Sequence, residues 1–175
     1  MDDGAGGATG SANDPFEAAR LGDWPSLQAC LQSGTAVDAQ NPRGDTLLML
    51  AAYHGHTALV AALLQAGADP DRSNDKGQHP LAGCAYHGHV EIIELLLDAG
   101  ARVEGNPAAS RSPLMYAAMY NHPRATACLL ENGADPQRRD ADGRRALELA
   151  EQMRAVYTVP LLRAHDATDE SKTAR

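Results

Sequence analysis

Glycines recur at an interval of 33 residues along this chain: Gly34, Gly67, Gly100 and Gly133 form one series, and Gly44, Gly77 and Gly143 form another that misses only at Ser110. A fixed period of that length means that one small supersecondary unit is copied along the chain, and such a unit cannot bury its apolar face alone. The pattern therefore predicts a stack of modules with no single deep core, and it places function on the surface that stacking builds.

The composition agrees with thin, closely packed layers. Of the 175 residues 43% are apolar but only 4% aromatic, so Ala, Leu, Val and Ile must fill the interior, and the length suits one domain. A net charge of −8 excludes a global field that favours nucleic acid or an anionic membrane. The Arg138-Arg139 and Arg144-Arg145 pairs stand among Asp135, Asp140 and Asp142 and read as a locally neutralised turn rather than a phosphate site. Cys30, Cys84 and Cys128 are odd in number and scattered, which fits small buried thiols in a reducing cytoplasm better than a disulfide framework or a zinc cluster. Residues 1–12 lack a basic start and an apolar run, so they do not read as a signal peptide. Both that segment and the tail 167–175 read as disordered, and no stretch is apolar enough to span a membrane.

Aligned on the period, the second unit reads Gly44-Asp45-Thr46-Leu47-Leu48-Met49-Leu50-Ala51-Ala52-Tyr53-His54-Gly55-His56. The third reads Gly77-Gln78-His79-Pro80-Leu81-Ala82-Gly83-Cys84-Ala85-Tyr86-His87-Gly88-His89, and the fourth Ser110-Arg111-Ser112-Pro113-Leu114-Met115-Tyr116-Ala117-Ala118-Met119-Tyr120-Asn121-His122. Each continues into Leu63-Leu64, Leu96-Leu97 or Leu129-Leu130 and ends on a Gly-Ala pair. Thr46 and Ser112 are capping residues, and Pro80 and Pro113 suit a first helical turn whose amides lack partners. Gly55 and Gly88 can supply the positive φ that ends this helix, as Asn121 can at some cost. Leu59, Val60, Leu63 and Leu64 give the second helix an inward stripe. Each module is thus helix, tight loop, helix and projecting turn. The turn Glu104-Gly105-Asn106-Pro107-Ala108-Ala109 lacks the Asp and Gly of its counterparts and is expected to fold differently.

These residues resemble the ankyrin repeat, whose signature is a Thr-Pro-Leu-His stretch, an Ala-Ala pair, Gly-His, Leu-Leu and Gly-Ala-Asp. No unit here has the full first stretch: Thr-Leu-Leu-Met, His-Pro-Leu-Ala and Ser-Pro-Leu-Met stand in its place. The register nevertheless holds over about 150 residues, with wording similar to compact bacterial members. The resemblance implies an all-α ankyrin-repeat solenoid of about five helix-loop-helix units with projecting β-turn or hairpin tips. The repeat domain would cover 13–166, with units at about 13–40, 41–73, 74–106, 107–139 and 140–166, the first and last being caps. It also implies that His56, His89 and His122 hydrogen-bond nearby backbone, and that short helices and turn tips line a concave side.

Seven histidines raise the possibility of a small metal-dependent enzyme or regulator. However, His54 and His87 occupy equivalent positions in adjacent units, ~10 Å apart if stacking follows a helix diameter, too far to share one zinc ion. No serine, cysteine or threonine sits in a nucleophile turn with a base, and no phosphate loop or dinucleotide glycine pattern is present. The sequence thus points to a protein without catalytic, cofactor or metal residues, a monomer on its own that binds a folded protein. Tyr53-His54, Tyr86-His87 and Met119-Tyr120, with Arg20 in the first cap, fall at one offset and form the expected binding ridge. The turn tips add Arg43, Asp45, Lys76, Gln78, Arg111 and Arg144. A transient accessory or protective factor for another enzyme is the remaining alternative.

Overall fold

The computed structural model describes residues 14–106 and 109–173. The segment 1–12, expected to be disordered, lies outside the described residues. Ten helices occur among the described residues, in five pairs: α1 (Pro15–Leu21) with α2 (Trp24–Gln32), α3 (Leu47–Tyr53) with α4 (Thr57–Gln65), α5 (Pro80–His87) with α6 (Val90–Asp98), α7 (Pro113–Met119) with α8 (Pro123–Glu131), and α9 (Ala146–Gln152) with α10 (Thr158–Thr173). The first helices of the pairs pack side by side as one row, α1–α3–α5–α7–α9, and α4, α6, α8 and α10 form a second row behind it. The architecture is an all-α solenoid.

Local chemistry starts several of the helices. The Thr46 and Ser112 hydroxyls accept the backbone N–H of Met49 and Met115 at the heads of α3 and α7, and the Asp23 carboxylate accepts that of Ser26 at the head of α2, each satisfying an amide with no helical partner. Pro80 and Pro113 stand at the first position of α5 and α7. His79 holds the corresponding place before α5 but makes no side-chain cap bond.

The period becomes columns of buried side chains. Leu63, Leu96, Leu129 and Leu162 are all 1% exposed or less, each contributing roughly 1.5–3 kcal/mol by leaving water. Ala19, Ala52, Ala85 and Ala118 form a fully buried column of methyl groups, which lets neighbouring helices of the first row approach closely. Leu27, Val60 and Ile93 continue into Thr126, which is also fully buried. Its hydroxyl donates to the His122 carbonyl at 3.0 Å, so the buried oxygen is satisfied.

The projecting turns are held by an amide or carboxylate at their heads. The Asn41, Asn74 and Asp140 side-chain oxygens each accept two backbone amides, from Arg43 and Asp45, Lys76 and Gln78, and Asp142 and Arg144. Gly44, Gly77 and Gly143 take the positive φ that the turn needs. The fourth unit has Pro107 and Ser110 at those positions. Pro107 offers no such acceptor, and Ser110 is not among the described residues with positive φ. Successive turns are also stitched together: Asp71 accepts from the backbone and guanidinium of Arg102, Glu104 accepts from Asp135 N and Arg138, and Asn74 donates to Asp45.

The last helix reaches into the tail. The expected disordered stretch 167–175 begins inside α10, which runs on to Thr173. Once a helix is nucleated, each added residue gains a hydrogen bond for one residue ordered, so polarity signals a lack of core to face rather than a lack of helix. Here α10 is already docked on α8 and α9.

Candidate functional site

The C-terminal turns of α3, α5 and α7 carry rings that meet across unit boundaries. The Tyr53 and Tyr86 rings stack with centroids 6.3 Å apart, and Tyr86 continues to Tyr120 at 4.2 Å. His87 turns its edge between the first two, 4.4 Å from Tyr53 and 4.8 Å from Tyr86. Tyr53 is 45% exposed and Tyr120 39%, and His54 and His87 are exposed as well, so the ladder presents much of its ring surface outward. Burial, followed by the neighbouring His56, Arg20 and, oppositely, Glu17, lowers the His54 pKa from its ordinary value. Burial and then His89, His122 and His54 lower that of His87. Both shifts favour the neutral imidazole.

A groove of about 510 Å³ runs beside this ladder, between the first-row helices and the turn tips. Seven of the sequence-predicted residues line it: Arg20, Arg43, Asp45, Tyr53, His54, Gln78 and Tyr86. Arg43 is 75% exposed along its side chain and touches Asp45 only through Nε at 3.8 Å. Asp45 is committed elsewhere, its two oxygens accepting from Asn74 Nδ2 at 2.8 Å and Asn41 Nδ2 at 3.2 Å. Arg20 pairs with Glu17 at 3.0 Å.

The other predicted residues separate from the groove. His87 and Tyr120 extend the ring ladder, while Met119 is half-buried and packs against the core. Lys76 is exposed on its tip. Arg111 and Arg144 converge on Asp140, whose side chain is 2% exposed, with Arg111 Nε at 3.8 Å and Arg144 Nη2 at 2.9 Å. Arg144 also pairs with Asp142. Burial pushes the Asp140 carboxyl up, but the backbone and guanidinium of Arg144 outweigh it and hold the group below its usual range. These two arginines brace the last turn.

Leu50, Gly83 and Tyr116 also line the groove and were missed from sequence. They lie three residues before Tyr53, Tyr86 and Met119, on the same helical face, and that spacing together with a glycine inside a helix was the available signal. Among the described residues no group of three or more His, Cys, Asp or Glu side chains could hold a metal ion, and no helix is long and apolar enough to cross a membrane. Cys30, Cys84 and Cys128 are buried.

The histidines after the first-row helices look across units. His56 Nε2 lies 2.7 Å from the Arg20 carbonyl and His122 Nε2 2.9 Å from that of Tyr86, each some 36 residues back along the chain. They tie one helix end to the next, using the ring as a backbone partner.

Comparison with known proteins agrees with this geometry. The family model for ankyrin repeats in three copies matches residues 16–107, and that for a single ankyrin repeat matches 110–141. The break between them falls on the turn that lacks its Asn or Asp head and its glycine. Over 45 residues the chain is 47% identical to an ankyrin repeat protein of Pseudomonas aeruginosa, a match spanning 26% of this chain and 26% of that one.

Proposed function

The chain belongs to the ankyrin-repeat family, whose members are in general protein–protein interaction modules, and from that premise we propose that it is a non-catalytic adaptor that binds a folded protein through the groove and ring ladder. The observation that carries this reading is the continuity of Tyr53, Tyr86, His87 and Tyr120 across three units beside a groove with exposed guanidinium on its rim. Tyrosines of this kind bring apolar area, a polar handle and few rotors to lose, which makes them strong anchors. The scaffold is ordered before binding, so little conformational entropy is lost on association. Three buried cysteines without a paired spacing fit a reducing, cytoplasmic setting.

The test replaces Tyr53, Tyr86 and Tyr120 by Ala together and compares affinity purification from lysate with the unaltered protein. The helical circular dichroism should persist, since these rings lie outside the buried columns. Partners recovered by the unaltered chain should be lost, each anchor being worth about 2 kcal/mol or more. Recovery of the same partners by a folded triple variant would reject the ladder as the binding surface.

A further inference from the structure

One position in the groove is out of step with the repeat. Leu50, Gly83 and Tyr116 share one register in α3, α5 and α7, and a glycine inside a helix costs about 1 kcal/mol relative to alanine. The backbone does not ask for it: among the described glycines Gly83 alone lacks a positive φ. Crowding does not ask for it either, because a Cβ there would meet Tyr53 at 3.5 Å, an ordinary contact. What the glycine leaves is room in the groove wall, between Leu50 and Tyr116 and beside Tyr53 and Tyr86.

The rim adds charge to that space. Arg43 and Arg20 line it, Arg20 paired with Glu17 and Arg43 with 75% of its side chain in solvent. The one carboxylate in the lining, Asp45, already accepts from two asparagine amides. The rim thus offers an exposed arginine, Arg43, beside an apolar gap.

Resting on the protein-binding reading above, we infer that the gap at Gly83 seats one large apolar side chain from an acidic segment of the partner protein, with a neighbouring carboxylate of that segment on Arg43. A carboxylate on a guanidinium is a charge-assisted pair, and an apolar side chain buried among tyrosines supplies the anchor.

The probe is a random peptide library displayed on phage and selected against the purified full chain, with enriched sequences resynthesised and measured by calorimetry. The selected peptides are expected to share an apolar residue next to Asp or Glu. Gly83→Leu, which restores the side chain of the second unit, should weaken them by about tenfold or more, whereas Gly83→Ala should bind nearly as the unaltered chain does. Arg43→Glu should weaken them as well and flatten their salt dependence. Should Gly83→Leu not fold, nuclear Overhauser contacts from the peptide's apolar side chain to the Tyr53 and Tyr116 rings of the unaltered protein decide the matter. Peptides without that pattern, undiminished binding to folded Gly83→Leu, missing ring contacts, or a library that yields no binder would each overturn the inference. If the triple tyrosine variant loses the peptides while Gly83→Leu keeps them, the anchor at Gly83 fails and the binding surface stands. If the triple variant also keeps them, both fail.

Discussion

At His79 the repeat replaces a capping hydroxyl with an imidazole. Its ring is 1% exposed, and neither nitrogen has a hydrogen-bond partner. It reaches toward the next turn, where a Cβ on Gly105 would lie 1.8 Å from Nε2. Gly105 is thus required both for its positive φ of 67° and for the space it leaves. Burial first, opposed by Asp71 and reinforced by Arg102 and Arg138, lowers the His79 pKa from 6.5 to about 4. Between those values the unfolded chain binds more protons than the folded one, so this contribution to stability is complete above pH 6.5 and is lost as the pH falls toward 4. The loss amounts to roughly 3 kcal/mol, at about 1.4 kcal/mol per pH unit of the window. Urea unfolding across that window should show the decline, and His79→Thr, which restores the cap seen at Thr46, should flatten it. An equal decline in His79→Thr would assign the acid sensitivity to other groups. The odd turn was visible in the sequence, but its pairing with His79 was not, because the two stand near opposite ends of one unit and meet only when the chain folds back.

The helices end by a device that also explains its own exceptions. Gly22, Gly55 and Gly88 take positive φ, and each lies under the ring of a histidine one unit on: His56, His89 and His122. A side chain on Gly88 would meet the His122 ring at 2.6 Å, so glycine is required for conformation and for contact at once. The fourth such position is Asn121, with φ 60°. The unit after it has Ala155 in place of the histidine, so a Cβ is admitted. The Asn121 side chain takes over the link, its Oδ1 accepting from Tyr157 N at 2.8 Å and Thr158 N at 3.3 Å. At the fifth position Arg154 adopts φ 56° beyond the last ring-bearing loop. Opposite outcomes follow at equivalent sites. Arg154→Gly should raise stability by about 0.5–1 kcal/mol as left-handed strain is relieved. Asn121→Gly should lower it by about 1 kcal/mol, since two backbone hydrogen bonds outweigh the relief. Thermal melts of the two variants check both signs, and a stabilised Asn121→Gly would refute the account of the link.

Across the whole molecule, stability is carried by contacts between neighbours, as the leucine column Leu63–Leu96–Leu129–Leu162 and the stitched turns show. Leu96 faces neighbours on both sides, whereas Leu162 closes the column. Leu96→Ala should cost about 2–5 kcal/mol and lower the main unfolding transition. Leu162→Ala should chiefly release the last unit, because end repeats can open alone. Hydrogen exchange resolved by segment distinguishes the two: protection should fall throughout in the first and be confined to α9 and α10 in the second. A uniform loss in Leu162→Ala would mean that the array opens as one body. The same neighbour logic limits what the ring ladder could reveal in advance. Tyr53 and Tyr86 were legible as a ridge because they recur in register, but Met119, at the next position of that register, packs against the core, and Tyr120, at the register of His54 and His87, carries the ladder on.

The letters alone determined the period, the helix pairs, their caps and stops, and the face that carries the tyrosines, because each depends on residues within one unit and on backbone preferences that need no neighbour. Tertiary structure alone decided the groove beside Gly83, the burial of His79 against Gly105, the commitment of Arg111 and Arg144 to Asp140, and the helix over 167–173. Each of these joins residues from different units or from the two ends of one, or depends on a docked helix. Their meeting is set by the offset at which one unit leans on the next, which no single unit encodes.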